Sequence, residues 1–425
     1  MLGLSFYVLA DTFFIANGVG KEGLIALNLA LPAFNGGINA IALLIASGIG
    51  AVYSIHVGRN ENRKGEEAFT ATFVFAIIIG VILTFVGIFF SKDLVYLLGA
   101  RGNMIELSNE YIKTLLIFSI AFIVNNIIVC MVRNDGEPRL AMIAMLSGSL
   151  SNIVLDYIFI YPLGMGMFGA ALATGIAPII SLIILSTHFL RGKNSFSFVR
   201  GRISIRRIIQ VITIGIPASI TEFSSGIVIL LFNLVIIGIT GEIGVAAYGI
   251  IANISLVFIA IFTGIGQGIQ PVISTCYGAG QSRKIDKTLK YAVILALSLG
   301  IIFYIICLVF ADGIISAFNA EGDLQLLDLT RNGMRIYFSS TILMGVNIVI
   351  ITFFSSIAMP RPSLITSLLR GIILIIPALL ILPTFIGING VWLTIPIAEA
   401  LTLIIGIWLM LIYFHRNRAL NINAG

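Results

Sequence analysis

The chain has 425 residues, 59% of them hydrophobic and only 10% charged, with a net charge of +6. A soluble domain carries about 25% charged residues, and so few could not cover a globule of this size. The composition argues against a soluble enzyme or a nucleic-acid-binding domain and predicts an all-α polytopic membrane protein.

A helix needs roughly 20 mostly apolar residues to cross a bilayer. Twelve stretches meet that need, at about 1–16, 24–57, 68–90, 111–131, 140–161, 168–190, 208–239, 246–276, 288–310, 332–357, 364–383 and 391–414. The second and eighth exceed one span, so part of each is expected to tilt or lie in the interface. No basic region precedes the first run, so no cleavable signal peptide is expected. Cys130, Cys276 and Cys307 fall in or at the ends of apolar segments without metal spacing, and packing is their expected role. His56, His188 and His415 are scattered, which excludes a multi-histidine metal site.

The connections alternate in charge. Loops 58–67, 132–139, 191–207, 277–290, 358–363 and the tail after Phe414 carry 18 of the 25 Lys and Arg, and the opposite set carries five. The positive-inside bias places the basic set, and the C-terminus, on the cytoplasmic side of the membrane. It also accounts for the net charge, so no nucleic-acid partner is expected.

The chain repeats itself at about 220 residues. "GIGAVYSIHVG" (48–58) pairs with "GIGQGIQPVISTCYG" (264–278), and "GMFGAALATGIA" (166–177) with "GINGVWLTIPIA" (387–398). Two six-helix bundles are expected, 1–190 and 208–425, joined by a linker at 191–207 and related by a pseudo-two-fold axis along the membrane normal. Subtracting the repeat length from the helix that carries Pro217 puts its counterpart before Met1. The first helix is therefore expected to be shortened at its N-terminus.

Five charges lie inside the spans and away from their ends: Asp11, Asp156, Glu222, Arg370 and Glu399. Each costs at least about 2.5–3.5 kcal/mol at bilayer depth, and such residues mark ion or substrate paths or structural ion pairs. Asn152 shares a helical face with Asp156 through i,i+4 spacing, as Tyr7 does with Asp11 and Ala170 with Thr174. Together they offer carboxylate, amide and hydroxyl oxygens, which suit a hard cation or a proton relay between coupled carboxyls. In the second half, Gln267 and Gln270 flank Pro271, and a bent helix beside a water-filled cavity is expected there.

"YVLADTFFIANGVG", "RNDGEPRLAMIAMLSGSLSNIVLDYIFI", "GMGMFGAALAT" and "GIGQGIQPVISTCYGAG" resemble the multidrug and toxin extrusion (MATE) transporters over the whole chain. The resemblance is to the bacterial branch with paired aspartates in the first lobe. It implies two six-helix bundles around a cleft that opens alternately to each side, and export of organic, often cationic, compounds against inward H+ or Na+. The cation set of that branch falls on Asp11, Asn152, Asp156, Ala170 (through its backbone) and Thr174, with Tyr7 beside it. If sodium is the ion, Asp11, Asn152, Asp156 and Thr174 are its ligands. The chain departs at Val8, where the family often has Asn, and at Tyr157, where it often has Pro. The bending proline of the first helix would lie before Met1.

Glu222, Gln267, Gln270, Glu399 and Arg370 are the expected substrate-binding residues. The partners expected are small organic cations and membrane lipids, for a monomer with no cofactor beyond the coupling ion. The alternative is a flippase for a lipid-linked precursor. It would need a basic cavity, and the spans of the second half offer only Arg370. A membrane-embedded enzyme lacks a catalytic set: there is no HExxH, no GxSxG and no histidine cluster.

Overall fold

A computed structural model describes residues 2–102, 104–200, 204–316, 318 and 323–422, with side chains described from Ala10 to His415 except at Lys21, Pro32 and the breaks in those ranges. The described residues are helical almost throughout. In chain order the helices are α1 (Leu2–Gly18), α2 (Lys21–Ala33), α3 (Ala40–Gly58), α4 (Asn62–Phe89), α5 (Ser91–Leu97), α6 (Met104–Ile117), α7 (Ser119–Asn134), α8 (Pro138–Ile160) and α9 (Gly166–Leu190). There follow α10 (Ile205–Gly278), α11 (Ser282–Val309), α12 (Ala311–Ser316), α13 (Leu324–Tyr337), α14 (Thr341–Ser356), α15 (Pro360–Leu368), α16 (Ile375–Ile386) and α17 (Ile388–Ile422).

Among the described residues nine helices are long and apolar enough to cross a membrane, and ten when the α6–α7 pair, bent by 49°, counts as one. The 74-residue α10 is two of the expected spans. It breaks at Gly241, whose φ of 69° and ψ of −155° are open to glycine. That break falls in the expected 240–245 connection. α1 supplies the remaining span. Two spans are interrupted by π-turns, at Phe34–Asn39 between α2 and α3 and at Leu369–Ile373 between α15 and α16. At Pro271 α10 continues with helical dihedrals, and its one non-helical residue is Gly241.

The sides of α4 show the solvent for which the chain is built. Ala68, Thr72, Ala76 and Gly80 are buried, whereas Ile78, Ile82, Phe85 and Phe89 are exposed. Small residues inward let helices approach, and large apolar ones outward suit lipid.

The repeat is legible in the element boundaries. α4, α5 and α6 begin at Asn62, Ser91 and Met104, and α11, α12 and α13 begin 220 residues later. α7, α8 and α9 begin at Ser119, Pro138 and Gly166, and α14, α15 and α17 begin 222 later. The two added residues are in the 3₁₀ turn Phe338–Ser340, where the first half has Phe118 alone.

By packing, the chain forms two compact units: 1–226 with 274–282, and 227–273 with 283–425. The start of α10 belongs to the first unit because it crosses α3 at backbone contact. A Cβ on Gly215 would fall on the Leu44 carbonyl, and one on Gly48 on the Val211 carbonyl.

The segment 193–199 is a docked strap on the first unit. Phe196 is fully buried against Tyr53, Phe69, His188 and Phe189. Asp135, at the end of α7, accepts from the Ser195 backbone N–H at 2.8 Å and from its hydroxyl, and lies 2.7 Å from His188 Nε2. Lys193 pairs with Glu137 at 3.0 Å, and Ser197 donates to Glu66 at 2.7 Å. The hydrogen bond from Lys193 holds the exposed Glu137 carboxyl below the usual carboxylate range.

Candidate functional site

The first unit gathers its polar residues where α1, α6, α8 and α9 meet. α1 seats on α8 through one face of its own. Phe14 sets its ring edge-on to Tyr157 and Tyr161, with centroids at 6.3 and 6.1 Å. A Cβ on Gly18 would strike the Ile160 side chain, so only a glycine permits the approach. One turn before Phe14 and Ile15 the same face presents Asp11, which is 4% exposed.

Asp156, on α8, is fully buried. Asn152, one turn away on α8, is 1% exposed and donates to Thr174 Oγ1 on α9 at 3.2 Å. Ala170, one turn before Thr174, has no exposed surface. Tyr111 on α6 donates to Asp11 Oδ2 at 3.1 Å. Tyr7 lies on α1, but its side chain is outside the described residues.

Four acceptors are left without a donor: Asp11 Oδ1, Asn152 Oδ1 and both carboxylate oxygens of Asp156. Ile15, Ile160, Met167 and Ala171, on the same helices, belong to one buried apolar cluster. Unmatched acceptors in such a setting are costly, and a cation or a proton is what satisfies them. The donor set fits a hard monovalent cation, since it is all oxygen. Among the described residues no three His, Cys, Asp or Glu cluster as they would for a transition metal.

The second unit has a different polar set. Glu399 on α17, 3% exposed, accepts from Arg370 Nε at 2.8 Å on Oε1 and from Asn347 Nδ2 at 2.7 Å on Oε2. Asn347 also donates to the Glu399 carbonyl at 2.8 Å. Arg370 and Glu399 therefore bond to each other. Gln270 is buried and Gln267 half-buried, and both side chains already have polar partners. Glu222, on α10 within the first unit, is half-buried, and its carboxylate has no partner among the described residues.

The MatE family model matches residues 1–158 and 217–380. The chain belongs to the MatE family. Among its relatives are the multidrug export protein MepA of Staphylococcus saprophyticus, 25% identical over 97% of this chain and 90% of that protein. MepA of Staphylococcus aureus is 26% identical over the same shares. Among solved structures, a MATE transporter in complex with MaL6 superposes with a TM-score of 0.90 at 27% identity, over 96% of this chain and 92% of that one. A transporter of the MOP superfamily from Pyrococcus furiosus, whose binding pocket is described as of reversed polarity, gives 0.88 at 28% over the same shares.

Within this MatE chain the repeat brings out how unlike the two halves are. The pairing of Gly166 with Gly387 puts Val391 and Ile395 in the places of Ala170 and Thr174, and past its π-turn α16 buries Ile375 and Leu379 where α8 buries Asn152 and Asp156. The departure at Tyr157 has a packing role, since its ring meets Phe14 of α1. Sequence reasoning missed Tyr111 and Asn347. Tyr111 stands at the edge of an expected span, where a tyrosine reads as an interfacial anchor. Asn347 was legible as a lone amide inside the 332–357 span.

Proposed function

We propose that the protein is a cation-coupled multidrug exporter of the bacterial cell membrane, working as an antiporter by alternating access. The observation that carries the reading is the set of four unpartnered oxygens on Asp11, Asn152 and Asp156 in an apolar enclosure. In the outward-open state these carboxylates take up H+ or Na+. Neutralised, they no longer need water, the helices around them repack, and the drug is released outward. In the inward-open state the ion leaves and the drug binds again. Coupling follows only if ion and drug prefer different states.

The multidrug export named for the Staphylococcus relatives supports this substrate class. The unpaired Glu222 offers a lipophilic cation a carboxylate, and Gln267 and Gln270, in the span beyond the Gly241 break, are separate candidate contacts of the second unit. The basic loops, including the 193–199 strap, face the cytoplasm, and the protein acts as a monomer among membrane lipids. A flippase reading is weaker, because Arg370, the arginine away from the span ends in the second half, is neutralised by Glu399.

The test is ethidium efflux from inside-out vesicles under a pH gradient or a Na+ gradient imposed separately. Stimulation by one of them supports the proposal. Efflux indifferent to both overturns the coupling, and no efflux overturns the transport.

A further inference from the structure

The Arg370–Glu399 pair is not required by the helix crossing that carries it. α15 repeats α8 at an offset of 222 residues, and α17 repeats α9 at 221, as the positive-φ glycines Gly166 and Gly387 show, so Arg370 and Glu399 correspond to Gly148 and Pro178. In the first unit neither place carries a charge. A Cβ on Gly148 would lie 3.0 Å from the Ala177 carbonyl oxygen. In the second unit the crossing instead buries two charges and opens a π-turn at Leu369–Ile373, with Arg370 inside it. Burying an ion pair stabilises a fold little or not at all relative to apolar packing. Inserted π-turns gather at functional sites.

The guanidinium is also only half used. Its side chain is 10% exposed, and Nε alone is bonded. The two Nη nitrogens have no polar partner among the described residues, and neither is sealed from solvent. They form a planar edge of N–H donors, which matches a carboxylate end-on. Glu399, held from the other side by Asn347, fixes that edge in orientation.

We infer that the Nη edge of Arg370 is a subsite for the carboxylate of a zwitterionic compound, deepening the export reading on which it rests. Net charge selects the zwitterion. The Arg370–Glu399 pair sums to zero, so a plain anion would add an uncompensated charge at bilayer depth. A compound that brings its own cation with its carboxylate adds none. The first unit, with Gly148 and Pro178 in these places, has no equivalent.

The test uses a matched pair of dyes: a rhodamine with a free carboxylate and its methyl ester, identical cations apart from that group. Binding of each to the purified protein in lipid nanodiscs is followed by fluorescence anisotropy, for native protein, R370K and R370Q/E399Q. R370K keeps the ion pair but loses the planar donor edge, and so separates recognition from folding. The quantity read is the ratio of Kd for the carboxylate to Kd for the ester, in which any general damage cancels. The ratio is expected to rise about ten-fold in both variants, the discrimination of one charge-assisted hydrogen bond. A ratio within about two-fold of native in R370K overturns the subsite. Native protein that binds the ester but not the carboxylate overturns it too and leaves the export reading standing. Native protein that binds neither dye overturns both.

Discussion

Tyr111 and Asp11 are 100 residues apart in sequence and 3.1 Å apart in space, the phenol donating to Oδ2. The bond fills one acceptor of a carboxylate whose other oxygen has no donor. It thus holds Asp11 in place without satisfying it. Removing it in Tyr111→Phe leaves a ring of nearly the same shape. The expected result is protein at native abundance in the membrane with export slowed about five-fold, since one hydrogen bond is worth about 1 kcal/mol. Ethidium efflux normalised to protein level measures it.

Asp156→Asn keeps the shape of the side chain and removes its charge. Folded protein is expected at native or higher level, because a buried carboxylate with two unpartnered oxygens is costly. Export and drug resistance are expected to fall to background. Undiminished export by this variant would sink the coupling proposal.

Phe196 anchors the strap from full burial. Phe196→Ala is expected to cost about 3–5 kcal/mol locally, as for other large-to-small changes at buried aromatic positions. Because the ion pairs and hydrogen bonds on either side are short-range, the loss is expected to free 193–199 before it unfolds the helices. Trypsin cleavage at Lys193, timed against native protein, reads this directly.

Acid is expected to loosen the same strap. The Glu137 carboxyl is held below its ordinary range by Lys193. Its contribution is therefore full above the ordinary carboxylate range and is lost as pH falls through the lowered value. Accelerated cleavage of the strap at pH 4 relative to pH 7, with an acid-tolerant protease and abolished in Glu137→Gln, is the expected outcome.

Gly215→Val puts a side chain into the Leu44 carbonyl, and backbone cannot move aside as a flexible side chain can. Overpacking of this kind costs about 1–3 kcal/mol or more. The expected outcome is aggregated or degraded protein on size-exclusion chromatography. Gly226→Val on the same helix, where nothing lies within 4 Å, is expected to behave as native.

The fold was legible because the bilayer imposes length and composition on each span. The twelve apolar stretches and the 220-residue repeat both have counterparts in the helices, down to the short α5 and α12. Asp11, Asn152, Asp156 and Thr174 were legible because charge and amide stand out against an apolar background at helical spacing. Tyr111 was not, because a tyrosine at a span edge has an ordinary explanation and nothing local points to a partner a hundred residues away. The strap was missed for a similar reason. Its basic residues suffice to set topology, and the burial of Phe196 depends on aromatic rings brought together from four separate stretches of chain. At Pro271 the chain keeps helical dihedrals, since a helix can run through a proline when neighbouring groups satisfy the freed carbonyl.

The contrast between Arg370–Glu399 and Asp11–Asp156 has an electrical consequence. A pair whose charges cancel in place carries nothing through the membrane field, however far its lobe moves. Two carboxylates without a countercharge do feel that field, at about 2.3 kcal/mol per charge for each 100 mV crossed. Voltage should thus act on this exporter through carboxylates that lack a countercharge, and neutralising Asp11 and Asp156 should make its motion less sensitive to membrane potential.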